Sequence, residues 1–304
     1  MIKRLFAFSV LCAIAAAQDT DSGPPKLKRG RPDGTRQTTG TSDAPTAATS
    51  GPSEPSDGPT LRRGAQPPAA TESEDPFLDR AREAALSFNE GLPNFLCQEL
   101  VTRYQSEARP VSWHAMDTLT MDLVYEDHKE DYRNIKIGGK SSNIEKLKAS
   151  GAWSNGDFGQ LQAGLFNPGA EADFRKGGSD RIEGKDALRY EFSVEQDRSS
   201  WDLTFDGKKI TVGYKGTAWL ERSTARVLRL EMQAVRIPTD YPINASEWSL
   251  DYAYSRINNQ EYLLPARSEV LSCQRGSRFC SRNVIDFRNY RRFGGESSIT
   301  FDPQ

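Results

Sequence analysis

Cys273 and Cys280 are the clearest chemical pair in the chain, separated by Gln274-Arg275-Gly276-Ser277-Arg278-Phe279. If Gly276-Ser277 is a two-residue turn, the cysteines face each other as a hydrogen-bonded pair, with α-carbons about 5.5 Å apart. A disulfide can span that separation, and a looser turn can fit it better. The rival pairing joins Cys97 to one of them and leaves a different orphan. Outside such a bridge, Cys97 reads as a small buried residue rather than a nucleophile, since neither histidine lies near it in sequence.

The other candidate sites are weaker. His114 and His128 are the only histidines, and with Asp117, Glu130 and Asp131 they match no zinc spacing, so solvated strand ends and turns are the better reading. Gly139-Lys140-Ser141 has the close of a phosphate-binding loop, but Asn134 stands where the loop needs its first glycine; a strand-end turn is expected instead. Gly-x-Ser-x-Gly does not occur, and nothing sets two carboxylates across a cleft. Arg288, Arg291 and Arg292 interleave with Phe287, Tyr290 and Phe293, an arrangement suited either to an anionic headgroup or glycan or to solubilising an edge strand. Asn244-Ala245-Ser246 is a short glycosylation sequon. No catalytic residue, metal site or cofactor emerges, and an enzyme is not expected.

Composition narrows the class. The chain of 304 residues carries 40 Lys+Arg against 42 Asp+Glu, a formal charge of −2, so it lacks the basic excess that nucleic-acid binding exploits. Hydrophobic residues make up 36% and the mean hydropathy is −0.67, low enough that part of the chain should not fold. Lys3 and Arg4 precede a short apolar run that ends in Ala15-Ala16-Ala17, the pattern of a secretory signal cleaved after Ala17. Residues 1–17 are therefore expected to be removed, giving a secreted or periplasmic protein with no later transmembrane segment. Residues 18–75 contain no Phe, Trp, Tyr, Ile, Val or Met and read as a disordered Pro/Ser/Thr/Gly-rich linker. Within it Pro25-Lys26-Leu27-Lys28-Arg29-Gly30 is echoed by Pro59-Thr60-Leu61-Arg62-Arg63-Gly64, either spacer text or a pair of basic beads for peripheral contact with the cell envelope.

Residues 76–304 should form the folded domain. Asp75 and Pro76 cap and open a helix bearing Phe77, Leu78, Ala81, Ala84, Ala85 and Phe88, stopped by Gly91 and Pro93. Ser142-Asn143-Ile144-Glu145 and Ser154-Asn155-Gly156-Asp157 have the capping-box form, the second leading into Phe158, Leu161, Leu165 and Phe166. The rest alternates as strands: Leu119-Met121-Leu123, Leu188-Tyr190-Phe192, Ile210-Val212-Tyr214, Leu228-Leu230-Met232 and Trp248-Leu250-Tyr252. Asp206-Gly207 signals a hairpin. Alternation implies one buried face, and successive hairpins imply an antiparallel sheet whose apolar face needs the helices as cover. The expected class is α+β: a strongly curved, mostly antiparallel half-barrel with a few packing helices.

The run Trp219-Leu220-Glu221-Arg222-Ser223-Thr224-Ala225-Arg226-Val227-Leu228-Arg229-Leu230-Glu231-Met232 resembles the hairpin of LolA/LolB-like periplasmic lipoprotein carriers. Tyr262-Leu263-Leu264-Pro265, Leu92-Pro93-Asn94-Phe95-Leu96-Cys97, Trp153-Ser154-Asn155-Gly156-Asp157-Phe158-Gly159 and Asn283-Val284-Ile285-Asp286-Phe287-Arg288-Asn289-Tyr290-Arg291-Arg292-Phe293 are similar to a set of uncharacterised secreted bacterial proteins. That resemblance implies an exported, non-enzymatic module that holds a lipid or an acylated protein in an apolar concavity. Trp219, Leu228, Leu230, Met232, Trp248, Leu250 and Tyr252 are the candidate lining residues, and the same residues would make an ordinary dry core if no cavity exists. The competing reading is a cell-envelope interaction protein tethered by its linker.

Overall fold

The computed structural model describes residues 75–149 and 159–293. The expected signal, spacer and basic repeat, the 154–157 cap and the last residues of the expected domain lie outside them.

Helix α1 (Pro76–Leu86) starts where expected: the Asp75 carboxylate accepts from Phe77 N at 3.1 Å and Leu78 N at 3.4 Å, satisfying two of the free amides of the first turn. The helix stops at Leu86, and a 3-10 turn at Asn89–Gly91 carries the chain into β1 (Phe95–Ser106). Strands β2 (His114–Glu126), β3 (Lys129–Ile137) and β4 (Lys140–Ser141) follow, then the short helices α2 (Ile144–Ala149) and α3 (Gln160–Phe166). In α2 the capping oxygen belongs to Asn143, which accepts from Lys146 N at 2.9 Å, so the cap falls one residue after Ser142.

The second half is strand after strand: β5 (Asp173–Ile182), β6 (Lys185–Val194), β7 (Asp202–Phe205), β8 (Lys208–Thr211), β9 (Gly213–Glu221), β10 (Val227–Val235), β11 (Ile243–Ile257), β12 (Gln260–Gln274) and β13 (Cys280–Arg292). Eleven of the thirteen strands join one sheet in the order β4-β3-β2-β1-β13-β12-β11-β10-β9-β6-β5, with every pairing antiparallel. The first hairpin of the sheet is thus added alongside the last strand. Hairpin β7–β8 stands apart as a two-stranded flap between β6 and β9, turned by Asp206 and Gly207 at φ 47° and 76°.

The sheet curls without closing; β4 and β5 are its edges. Irregular registers in β1, β2, β5, β10 and β11 bend the strands. A close approach reinforces the curl at Gly216, where a Cβ would lie 1.9 Å from the Glu231 carbonyl oxygen and 2.6 Å from the Phe192 ring. Both helices with described packing on the second half lie on one face. There α1 and α3 cover the even-numbered side chains of β6, β9, β10 and β11, with Phe77 stacked on Tyr190 and Phe88 edge-on to Tyr252. A second apolar cluster, including Val101, Leu119, Met121 and Leu147, fills the same face under β1, β2 and β3.

The opposite face carries polar cross-strand rows beside a small apolar cluster of Ala245, Leu271, Cys273 and Cys280, with Trp113 packed against it. Trp219, Arg229, Asp251, Arg267 and Asp286 stand in one cross-strand row. Arg267 pairs with Asp286 at 3.1 Å, and Arg229 reaches both Glu231 and Asp251. Cys273 and Cys280 are joined, as the sequence suggested, with α-carbons 4.1 Å apart. The turn is wider than two residues. Gln274 N donates to the Phe279 carbonyl at 3.0 Å, so the neighbouring cysteines occupy the closer, non-hydrogen-bonded position rather than the hydrogen-bonded one. Cys97 is free and buried. Desolvation first, then the charge of Glu99, pushes its thiol far up, leaving it protonated and inert.

Candidate functional site

Between the helical cover and the sheet lies a concavity of about 1580 Å³. Its floor is built from cross-strand rows of the inner face. One row runs Met232–Trp248–Val270–Asn283–Arg103–Asp117 across β10, β11, β12, β13, β1 and β2, each residue directly opposite the next. It begins apolar and ends charged. The next row toward the strand ends is Ser246–Ser272–Ser281–Gln105, and it is hydroxyl and amide throughout. All ten residues line the cavity.

The wall facing the apolar end comes from α3 and the flap. Leu161, Trp201, Leu203 and Phe205 line the cavity together with Tyr214, Met232 and Trp248. The Trp201 ring lies 5.8 Å from Tyr214 and 6.4 Å from Trp248 between centroids. Trp248 donates its indole N–H to Ser268 at 2.7 Å, which satisfies its polar atom and leaves carbon surface toward the cavity. Burial pushes the Tyr214 hydroxyl up to about 12, so it is a neutral phenol.

The flap is anchored along both of its strands. Tyr241, fully buried, has its hydroxyl 3.0 Å from the Leu203 carbonyl and 3.1 Å from the Lys208 carbonyl. Arg275 in turn donates to the Tyr241 and Pro238 carbonyls, each at 3.1 Å. At the charged end Arg103 grips Asp117 with two hydrogen bonds, 2.7 and 2.6 Å. Hydrogen bonding from Arg103 outweighs desolvation and holds the Asp117 carboxyl below its ordinary value.

Of the candidates read from the sequence, Met232 and Trp248 line the cavity. Leu228, Leu230, Leu250 and Tyr252 are buried with them in the core that α1 and α3 cover. Trp219 departs from the set: it lies in register with Arg229 and Arg189 on the other face, donates its indole N–H to Asp180 at 3.2 Å, and has the Arg229 guanidinium 5.8 Å from its ring. The polar floor was not legible, because serines and a glutamine on four separate strands become neighbours only through register.

His114 is exposed, and Glu130 is half-buried, its pKa raised by desolvation. Among the described residues no group of three or more His, Cys, Asp or Glu could hold a metal, and no helix is long and apolar enough to cross a membrane. Arg291 and Arg292 are exposed, while Phe293 meets Arg133 instead, its ring centroid 5.5 Å from that guanidinium.

No family model matches the chain, and no curated protein matches it. Solved structures do. A Vibrio parahaemolyticus domain provisionally assigned to outer membrane lipoprotein sorting is 12% identical, covering 73% of this chain and 93% of that one at a TM-score of 0.33. A DUF1329 family protein from Desulfovibrio piger is 11% identical over 74% and 93%, TM-score 0.33. A LolA superfamily protein from Nitrosomonas europaea is 10% identical over 74% and 96%, TM-score 0.31. The LolA-type likeness drawn from the sequence thus recurs among solved structures. The TM-scores are low, and the half-barrel rests on this chain's own strand ladder.

Proposed function

We propose that the chain is an exported, non-enzymatic binding module that holds a hydrophobic or acylated ligand in its concave face. The observation that carries this is the cavity itself. Its volume, about 1580 Å³, exceeds the roughly 300–1,000 Å³ of pockets for drug-sized ligands. Two indoles and the flap's apolar side chains make one end of it. Each methylene an acyl chain buries there contributes about 0.8 kcal/mol, so a chain of modest length suffices for tight holding.

The lining residues include neither a cysteine nor a histidine, and Asp117 is held as a carboxylate by Arg103. Export follows from the amino-terminal signal pattern and agrees with a disulfide between Cys273 and Cys280. Displacement of a fluorescent fatty acid from the purified chain tests the reading. Saturable binding accompanied by energy transfer from the tryptophans is expected; no saturable binding would count against an open cavity.

A further inference from the structure

Resting on that reading, we infer that the ligand is an amphiphile with an uncharged, polyhydroxylated headgroup, its apolar part against Trp201 and Trp248 and its hydroxyls on the serine row. The polar floor is a built surface. Ser246, Ser272, Ser281 and Gln105 stand on four adjacent strands in one register row, so their side chains share one face at strand spacing. Ser246 is only 4% exposed, yet it borders the cavity. None of these four side chains has a hydrogen-bond partner among the described residues, although each can both donate and accept. A row of unused donor-acceptors inside a concavity is matched by a ligand group that also offers both, and hydroxyls do so without bringing charge.

Charge argues the same way. The cavity's charged lining is Arg103 and Lys209 against Asp117, Asp202 and Asp206. Arg103 is bound through Nε and Nη2 by Asp117, and Lys209 meets Asp202 at 2.7 Å. An anionic headgroup would find both cations already neutralised and would lie near a carboxylate. A cationic one would have to separate an existing pair or rely on Asp206 at the flap's tip. A sugar-like headgroup disturbs neither pair and leaves no serine hydroxyl buried without a partner.

The test compares three amphiphiles of one chain length, below their micelle concentrations, on the full purified chain by titration calorimetry: dodecyl maltoside, dodecanoate and dodecyltrimethylammonium. The maltoside should bind about tenfold tighter than either charged compound, the margin expected of two or more added hydrogen bonds. In the triple variant Ser246→Ala, Ser272→Ala, Ser281→Ala that preference should shrink toward unity. Equal or tighter binding of dodecanoate or of the ammonium compound by the natural chain overturns the headgroup inference while leaving the cavity reading standing. Failure of all three to bind overturns both. The order of affinities in the natural chain decides the matter even if the triple variant does not fold.

Discussion

Trp248 donates its indole N–H to Ser268 Oγ at 2.7 Å, and both side chains are buried. The bond aims the indole's polar edge into the sheet and its carbon face at the cavity. Ser268→Ala would strand a buried N–H at a cost of about 1–3 kcal/mol. The thermal midpoint should drop by several degrees, while a non-buried serine such as Ser112→Ala should leave it unmoved.

Asp75 ties α1 to the sheet as well as capping it, since its second oxygen accepts from the Tyr190 hydroxyl at 2.6 Å. Asp75→Ala should cost about 1 kcal/mol as a lost cap, and Tyr190→Phe should show coupling to it in a double-mutant cycle. The hydrogen bond from Tyr190, aided by the Leu78 and Phe77 amides and opposed by desolvation, holds the Asp75 carboxyl below its ordinary value. Asp117 is depressed in the same way by Arg103. A depressed carboxylate contributes stability that is complete above its unfolded pKa, about 4, and is lost as pH falls through the folded one. Urea midpoints should therefore decline below about pH 5, with a shallower decline in Asp75→Asn. A decline as steep in that variant as in the natural chain would remove Asp75 from the acid response.

The three described cysteines should separate by chemistry. Peptide mapping without reductant should recover Cys273 crosslinked to Cys280, and Cys97 should alkylate only after unfolding, given its burial and raised pKa. The closed loop is short, a separation of 7 residues, so replacing both bridged cysteines by alanine should destabilise by roughly 2–3 kcal/mol. A crosslink containing Cys97 would contradict the pairing.

Gly216 has no room for a side chain beneath Phe192, where a methyl group would overlap the Glu231 carbonyl at 1.9 Å. Gly216→Ala should destabilise by about 3 kcal/mol or more, because backbone rather than a flexible side chain must move. Restored stability in the double variant with Phe192→Leu would show that the ring, not the Glu231 carbonyl, sets the limit; we expect no such rescue.

Tyr241→Phe should leave the sheet intact and loosen the flap. Amides of Lys208–Thr211 should exchange faster with solvent, whereas those of β11 and β12 keep their protection. Unchanged exchange would mean that the flap is held by other contacts.

What was legible in the sequence was whatever one strand reveals alone. Leu119-Met121-Leu123 and Trp248-Leu250-Tyr252 announce a buried face by their own alternation, and the helix starting after Asp75 announces its cap. Strand β5 was missed: Asp-Phe-Arg-Lys-Gly-Gly-Ser-Asp-Arg-Ile is an edge strand, with few apolar residues and paired glycines. Trp219 was assigned to the wrong face because Trp219 and Leu220 are adjacent and both apolar, and only the register against Arg229, set by the bulge after Val227, says which one points inward. Arg103 and Ser281 could not be joined to a site at all, since nothing local to either tells that β1 lies beside β13.

That adjacency also governs how the molecule must assemble. Val101 finds Ile285 across the ladder only after nearly the whole intervening polypeptide exists. The nucleus of such a topology bears a large loop-closure entropy, so refolding from denaturant should be slow, on the order of milliseconds to seconds, as for other architectures dominated by distant pairings. Until β13 arrives, β1 presents an open edge, and a nascent or refolding chain at that stage is the form a chaperone would most need to shield.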